Sequence, residues 1–179
     1  MLNPNEIMTL VSPENVSILL KYAKQTPNNG IFVEVGVYKG GTAYYLNEIT
    51  KERKTELWLF DTFEGMPEKT EGIDLHNVGD FSDCSYETVK SLVPEARIFK
   101  GFFPETIKDI FLPDISFAHI DCDQYESIKN CIQILIPFLT IGGIMYFNDY
   151  GCLDGATKAI DEFCPERQII ENGKAVFIK

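Results

Sequence analysis

The chain has 179 residues, which is enough for one α/β domain and too few for two of ordinary size. Its 16 Lys and Arg residues against 27 Asp and Glu residues give a formal net charge of −11 at pH 7, and this acidity excludes sequence-independent binding to a nucleic acid backbone. Apolar residues make up 45% of the chain, so it can bury a core, and we predict one folded domain over residues 1–179.

The cysteines and the amino-terminal stretch indicate the cellular compartment. The five cysteines are scattered, odd in number and without a Cys-x-x-Cys pair, which indicates neither a disulfide framework nor a structural zinc site. The first twenty residues lack a basic segment followed by an apolar core, and no apolar run approaches the length of a membrane span. We therefore expect a reducing, cytoplasmic location and no membrane partner.

A helical lead-in is predicted over residues 1–30. Ser12-Pro13-Glu14 is a typical helix start, and Asn28-Asn29-Gly30 is a typical end. The apolar run Ile31–Val35 then predicts a strand, which passes through a glycine turn into a helix from about Thr42 to Lys51. This is a strand–turn–helix unit.

The same alternation of short apolar strands and helices continues along the chain. Further strands are predicted at Leu57–Phe60, Ala96–Phe99, Ile115–Ile120 and Gly143–Phe147. Further helices are predicted at Tyr86–Leu92, Glu105–Phe111, Tyr125–Leu139 and Ala156–Phe163. Because the strands are apolar on both faces and alternate with helices, the pattern predicts a parallel sheet covered on both sides.

Two segments depart from this alternation. Near the end of the chain, Arg167–Ile170 and Ala175–Ile178 flank Asn172-Gly173, a dipeptide that predicts an antiparallel hairpin. Residues 62–85 contain three glycines, His76 and many carboxylates without periodicity, so we predict a long, lid-like functional loop. The expected fold class is α/β, a mostly parallel sheet that finishes with an antiparallel hairpin.

The turn after the first strand favours one cofactor class over another. Its glycines, Gly36, Gly40 and Gly41, have the spacing Gly-x-x-x-Gly-Gly rather than the Gly-x-Gly-x-x-Gly that cradles a dinucleotide pyrophosphate. S-adenosylmethionine is therefore favoured over a nicotinamide dinucleotide. Asp61 follows the second predicted strand, where a carboxylate can accept hydrogen bonds from both ribose hydroxyls; a helix cap or a solvated carboxylate is the alternative.

Polar side chains also follow the fourth and fifth predicted strands. Asp121 and Asp123 come after the fourth, and Asn148 and Asp149 after the fifth. Packed carboxylates repel one another unless a cation compensates, and hard oxygen ligands suit Mg²⁺, Mn²⁺ or Ca²⁺. We predict a divalent metal at Asp121, Asn148 and Asp149, with Asp123 as a substitute ligand or an outer neighbour. Helix capping is the alternative, although it accounts for only one or two of the four side chains.

The sequence resembles the macrocin O-methyltransferase family from about Phe32 to Phe163. The resemblance rests on five strings, which are Val33–Thr42, Phe60–Pro67 (Phe-Asp-Thr-Phe-Glu-Gly-Met-Pro), Gly101–Thr106, His119–Ser127 (containing Asp-Cys-Asp-Gln-Tyr-Glu-Ser) and Asn148-Asp149-Tyr150. It implies a Rossmann-like class I methyltransferase fold with a seven-stranded sheet. It also implies a metal-dependent enzyme that uses S-adenosylmethionine to methylate sugar hydroxyls of natural products.

The resemblance implies roles for individual residues. Glu34 and Gly36 would line the methionine part of S-adenosylmethionine, and Asp61 would hold its ribose. The cofactor-binding residues expected on this basis are Glu34, Gly36, Tyr38, Gly40, Thr42, Asp61, Thr62, Phe63 and Asp121. Asp121, Asn148 and Asp149 would bind Mg²⁺, which in turn would grip two neighbouring sugar oxygens. The family often has a second aspartate where this chain has Asn148.

His76 matches a histidine that is suspected as the general base in the family. Histidine suits proton removal near neutral pH, and a surface histidine in an acidic loop is the alternative. We predict His76 and Asp121 as the catalytic residues, whereas His119, inside a strand, is predicted to be structural.

Competing functions remain open at this point. A metal-dependent glycosyltransferase that uses a nucleotide sugar would explain Asp121-Cys122-Asp123, but not the glycine turn. A noncatalytic S-adenosylmethionine-binding protein is a second alternative, and a nicotinamide oxidoreductase is weaker because of the glycine spacing. The expected partner is a small-molecule acceptor that offers a sugar hydroxyl, such as a macrolide, a smaller sugar or a nucleotide sugar. No nucleic acid partner is expected, and the sequence leaves open whether the chain forms a homo-oligomer.

Overall fold

The fold is taken from a computed structural model, which describes residues 9–67 and 69–179. The strands are β1 (Ile31–Val35), β2 (Leu57–Asp61), β3 (Arg97–Lys100), β4 (Ile115–Ile120), β5 (Leu139–Phe147), β6 (Gln168–Ile169) and β7 (Ala175–Ile178). The helices are α1 (Pro13–Gln25), α2 (Gly41–Arg53), α3 (Tyr86–Leu92), α4 (Phe103–Thr106), α5 (Tyr125–Leu135) and α6 (Asp154–Phe163). The part of the predicted lead-in before residue 9 lies outside the described residues.

The strands form one seven-stranded sheet in the order β3-β2-β1-β4-β5-β7-β6. Strands β1 to β5 run parallel, whereas β7 runs antiparallel to β5 and to β6. From β1 the chain moves outward through β2 to β3, and it then returns to place β4 on the other side of β1. A crevice therefore opens at the carboxyl ends of β1 and β4, which is where open α/β sheets bind ligands.

Helices cover both faces of the sheet, as the two-sided apolar strands predict. Helices α4, α5 and α6 pack on one face, over Val33, Trp58 and Met145. Helices α1, α2 and α3 pack on the other, over Phe32 and Leu59. All five residues of β1 are buried, because this strand lies at the centre of the sheet between both helical layers.

The largest differences from the sequence-based expectation lie at three elements, and glycine or proline explains each. Helix α5 ends at Leu135 rather than Leu139, because Pro137 cannot donate a helical hydrogen bond, and residues 136–138 form a 3₁₀ turn. Strand β5 begins at Leu139 and continues through Gly142 with a shift in register, whereas Gly143 was expected to start it. The fourth helix lies at Phe103–Thr106 and not at Glu105–Phe111, with Pro104 in its first turn.

The predicted carboxyl-terminal hairpin is present, and residues 170–174 connect its two strands. Gln168 pairs with Val176, and Ile169 pairs with Ala175. Asn172 and Gly173 have φ values of 56° and 69°, so both occupy the left-handed region that this dipeptide favours. The backbone N–H of Ile170 donates to the carbonyl of Lys174 at 2.8 Å, which closes the connection.

The predicted loop over residues 62–85 has turns and bends but neither helix nor strand in its described part, which excludes Glu68. Within the described ranges, none of the helices is both long and apolar enough to cross a membrane.

Candidate functional site

A cleft of about 470 Å³ opens at the carboxyl ends of β1 and β4. This volume lies within the usual range for a small-molecule site. One half of the cleft is formed by the turns after β1, β2 and β3. The other half is formed by the segments after β4 and β5, by residues 9–12, and by the turn before β7. His76 lines the cleft from the long loop.

The glycine turn after β1 brings two strand ends close together. Gly36 has a φ of +86°, and a β-carbon there would lie 1.9 Å from the carbonyl oxygen of Asp121. Only glycine fits between these two backbones, so part of the reason for the glycine is internal packing rather than the approach of a ligand. Gly36 thereby sets the distance between the β1 turn and the segment after β4.

Asp61 organises the half of the cleft that the turns after β1 and β2 form. Its Oδ2 accepts hydrogen bonds from the backbone N–H groups of Val37 at 2.7 Å and Tyr38 at 2.9 Å. Its Oδ1 accepts one from the backbone N–H of Phe63 at 2.7 Å. A carboxylate has about four acceptor positions, so three are occupied by the protein and one remains for a ligand. In this arrangement Asp61 has room to accept one further hydrogen bond from a ligand hydroxyl.

The predicted cofactor residues divide into two groups. Those that line the cleft are Gly36, Tyr38, Thr42, Asp61, Thr62 and Asp121. The structure places Glu34, Gly40 and Phe63 outside the lining. Gly40 caps α2 in a left-handed conformation, against the side chains of Leu92 and Val89. Phe63 is buried with its ring against Tyr86, at a centroid distance of 5.7 Å.

Glu34 is fully buried beside His119 and is not among the residues that line the cleft. Its Oε1 lies 2.8 Å from Nδ1 of His119, and both side chains are fully buried. Burial acts to lower the pKa of His119, but the hydrogen bond and the charge of Glu34 outweigh it, so the pKa of His119 is raised. His119 is therefore paired inside the sheet layer, as a structural histidine would be.

A carboxylate cluster lies where β4 and β5 end. Oxygen atoms of Asp121, Asp123 and Asp149 all lie within 4.8 Å of one another. The Asn148 amide bridges two of them, because its Nδ2 donates to Oδ1 of Asp121 at 2.8 Å and to Oδ1 of Asp149 at 3.1 Å. The four side chains that the sequence singled out are thus brought together, and Asp123 belongs to the cluster itself.

The carboxylates of this cluster disfavour one another's charge. Burial raises the pKa of Asp123 to about 10, and the charges of Asp149 and Asp121 add to the effect. Burial also raises the pKa of Asp121 to about 7, again with a contribution from Asp149. The pKa of Asp149 is raised chiefly by burial. Without a cation the cluster therefore holds protons that isolated aspartates release.

The residues present fit a hard divalent cation. Oδ2 of Asp149 is buried and makes no hydrogen bond to the described residues. Three carboxylates supply the oxygen donors that Mg²⁺ and Mn²⁺ prefer. The Asn148 amide faces the carboxylates with its NH₂ group, and rotation by half a turn would present its oxygen instead. Asp121, Asp149 and either Asn148 or Asp123 would hold the ion.

His76 lies beside the cluster and is 24% exposed. Its Nε2 is 3.7 Å from Oδ2 of Asp123, and its Nδ1 is 3.8 Å from Oδ2 of Asp80. The imidazole packs edge-on against the ring of Phe81 at 4.9 Å, and Phe81 in turn packs against Tyr38 at 5.8 Å. His76 therefore faces the cleft rather than bulk solvent, in contrast to the surface alternative.

The structure adds residues that the sequence analysis did not identify. Lys174, only 4% exposed, lines the cleft and donates from Nζ to the carbonyl of Asn148. Cys152 lies 3.7 Å from the same Nζ. Lys174 belongs to no sequence motif. Its place in the cleft follows from the pairing of β7 with β5, which the sequence around Lys174 does not reveal.

Asp83 in the long loop accepts hydrogen bonds from the side chains of Tyr38 and Lys39. These two hydrogen bonds join the long loop to the glycine turn.

The strand order, the antiparallel hairpin and the crevice between β1 and β4 define a class I methyltransferase fold. Two solved structures are similar to it. The O-methyltransferase NovP superposes with a TM-score of 0.83 at 20% identity, over 96% of this chain and 81% of NovP. The calicheamicin methyltransferase CalS11 superposes with a TM-score of 0.74 at 17% identity, over 92% of this chain and 77% of CalS11.

Sequence comparison identifies the family. Residues 8–176 match the macrocin O-methyltransferase (TylF) family, and the chain belongs to it. A tetracenomycin-C rhamnosyl 4'-O-methyltransferase from Streptomyces olivaceus is 26% identical over 153 residues, and the demethyldecarbamoylnovobiocin O-methyltransferase of Streptomyces niveus is 26% identical over 151. Each match covers 75% of this chain and only 58% of the relative's length.

Proposed function

We propose that this protein transfers the methyl group of S-adenosylmethionine to a hydroxyl oxygen of a sugar or of a sugar-containing natural product, with the help of Mg²⁺ or Mn²⁺. The observation that carries the proposal is the meeting of two sets of residues across one cleft. The glycine turn and Asp61 lie on one side, and the carboxylate cluster with His76 lies on the other. Membership of the macrocin O-methyltransferase family supports the same reaction class.

S-adenosylmethionine is assigned to the half of the cleft that the turns after β1 and β2 form. The free acceptor position of Asp61 suits a ribose hydroxyl, and the backbone of Gly36 and Tyr38 lies within the lining. Phe102, with Gly101 and Pro104, forms an apolar wall of the same half. These residues would orient the cofactor with its sulfonium directed at the centre of the cleft.

The acceptor is assigned to the half that contains Asp121, Asp123 and Asp149. Asp121, Asp149 and either Asn148 or Asp123 would hold a divalent ion there, and the chemistry it would supply is a lower pKa for the hydroxyl that is methylated. His76 would take the hydroxyl proton, because it lines the cleft and lies 3.7 Å from Asp123. Methyl transfer needs the acceptor oxygen, the methyl carbon and the sulfur in line, so the long loop would exclude water and hold the acceptor in place.

The names of the similar proteins support a sugar as the acceptor. One relative is named for methylating a rhamnosyl group of tetracenomycin C, and a second structure of CalS11 is titled a TDP-rhamnose 3'-O-methyltransferase. We extend this to the present chain as the class of acceptor, a deoxysugar glycoside or a nucleotide sugar. The family match removes most of the support for a glycosyltransferase, which would not need the glycine turn.

A methyl-transfer assay tests the proposal. The protein is incubated with S-adenosylmethionine that carries an isotopic label on the methyl group, with Mg²⁺, and with a panel of rhamnosides and deoxythymidine diphosphate sugars. Transfer of label to at least one sugar, lost in EDTA and restored by Mg²⁺, is the expected result.

The same methyl-transfer assay compares His76→Ala, which lacks the proposed base, with Asp109→Asn, a matched control at an exposed carboxylate. Binding of S-adenosylmethionine without transfer to any member of the panel would favour the noncatalytic alternative. Binding of a nucleotide sugar in the absence of any S-adenosylmethionine binding would contradict the proposal.

A further inference from the structure

Asp74 occupies an unusual place in the loop that carries His76. It is only 8% exposed, and both of its carboxylate oxygens accept hydrogen bonds from backbone N–H groups. Oδ2 accepts from Thr70 within the loop at 2.7 Å, and Oδ1 accepts from Tyr125, the first residue of α5, at 2.9 Å. The loop is thereby attached to the start of a helix, where a negative charge is favourable.

The same carboxylate also contacts the start of α6. A β-carbon at Gly155 would lie 2.0 Å from Oδ1 of Asp74, so the absence of a side chain at Gly155 makes room for the carboxylate. Helix α5 follows Asp121 and Asp123 directly, and α6 begins a few residues after Asp149. Asp74 therefore touches the two helices that extend from the two halves of the carboxylate cluster.

His76 follows Asp74 by two residues and lies at the cluster. The ring of His76 contacts Asp80 and Phe81 within the loop, and Phe81 packs on Tyr38 of the glycine turn, so the loop has one attachment on the carboxyl-terminal side of His76. Asp74 supplies an attachment to the framework next to His76. We propose that Asp74 is a positioning residue that holds His76 beside the carboxylate cluster, an inference that rests on the proposed function for the role of His76.

The first test needs neither cofactor nor acceptor. Diethyl pyrocarbonate acylates imidazole rings that solvent reaches, and the chain has only two histidines, of which His119 is fully buried. Asp74→Ala removes the carboxylate that attaches the loop to α5. Gly155→Ala places a β-carbon where the Asp74 carboxylate lies and so disturbs the same attachment from α6. Alanine is a better helix former than glycine, so an effect of Gly155→Ala would not arise from a weakened α6.

The expected result is a several-fold faster acylation of His76 in both Asp74→Ala and Gly155→Ala. Asp74→Asn keeps an acceptor oxygen for Tyr125 and should lie close to the wild type, as should Asp109→Asn. Equal acylation rates in the wild type, Asp74→Ala and Gly155→Ala would overturn the proposal, whatever the protein catalyses.

The second test separates positioning from a general loss of structure. Methyl transfer is measured for Asp74→Ala, His76→Ala and the double variant. Misplacing the base should lower kcat about 100-fold, with the KM for S-adenosylmethionine unchanged. In the His76→Ala background the loss of Asp74 should cost nothing further, because it acts through His76.

Additive losses in the double variant would show that Asp74 acts independently of His76 and would overturn the proposal. If the wild type transfers no methyl group to any acceptor, the proposed function fails, and the acylation rates alone then decide whether Asp74 positions His76.

Discussion

The α-carbon of Gly36 faces the backbone carbonyl of Asp121 so closely that a β-carbon would lie 1.9 Å from its oxygen. This contact joins the glycine turn to the residue that starts the carboxylate cluster. Gly36→Ala should therefore lower the free energy of unfolding by about 3 kcal/mol or more, from left-handed strain and from displaced backbone. Urea unfolding measures the change.

Gly72→Ala is the matched control for this prediction. Gly72 also has a positive φ, +75°, but a β-carbon there would meet nothing within 4 Å. Only the strain remains, and the expected loss is about 1 kcal/mol. If the free energy of unfolding fell by a similar amount in both variants, the close contact between Gly36 and Asp121 would not contribute to stability.

Removal of one carboxylate from the cluster should abolish metal binding. Asp149 is buried, and its Oδ2 makes no hydrogen bond to the described residues, so we expect Asp149→Ala to lose calorimetric binding of Mg²⁺ while it still binds S-adenosylmethionine in the other half of the cleft. Asp109→Ala removes an exposed carboxylate of the same charge and should bind Mg²⁺ like the wild type. Undiminished Mg²⁺ binding by Asp149→Ala would place the ion elsewhere.

The raised pKa values predict how pH affects stability and metal binding. The pKa of Asp121 is about 7 in the folded protein, against 3.8 for an ordinary aspartate. Between these values the folded metal-free protein holds a proton that the unfolded chain releases, so the free energy of unfolding falls as pH rises through this window. A Mg²⁺ ion bound at the cluster would compete with the same proton. Its stabilising effect on the melting temperature should therefore be larger at about pH 8 than at about pH 5.5.

This pH prediction has an internal control. Asp149→Ala lacks a ligand, so the added Mg²⁺ should leave its melting temperature unchanged at either pH. If Mg²⁺ raised the melting temperature of the wild type equally at both pH values, the cluster would not hold the proton that this prediction assigns to it.

Asp61 should determine the affinity for S-adenosylmethionine. In Asp61→Asn an NH₂ group replaces one carboxylate oxygen, so at least one of the N–H groups of Val37, Tyr38 and Phe63 loses its acceptor. We expect binding to weaken about 10- to 100-fold, the usual effect of losing a hydrogen bond to a charged group. Glu64→Gln, at an exposed carboxylate in the same segment, should leave the affinity unchanged. Unchanged affinity in Asp61→Asn would argue against the ribose assignment.

The sheet could be predicted because the information is local. Two-sided apolar strands such as Ile115–Ile120 and the alternation with helices specify a parallel sheet, and Asn172-Gly173 specifies the hairpin. The end of α5 at Leu135 and the start of β5 at Leu139 were harder to predict. The sequence pattern does not tell whether a glycine or proline ends an element or lies within it.

The site was predictable wherever strand ends determine it. Asp121, Asp123, Asn148 and Asp149 follow adjacent strands, so their meeting follows from the sheet. The pairing of Glu34 with His119 was not predicted, because on a strand buried on both faces the sequence does not reveal which face a side chain takes. The contacts of Asp74 and Lys174 are also beyond sequence reasoning, since each joins segments far apart in the chain.

Calorimetric titration of S-adenosylmethionine into the protein, followed by Mg²⁺, tests the central claim most directly. The account predicts cofactor binding in the micromolar range, about −8 kcal/mol, and a second binding event for Mg²⁺ that Asp149→Ala lacks. Absence of any heat from S-adenosylmethionine, together with binding of a nucleotide sugar in the same cleft, would contradict it.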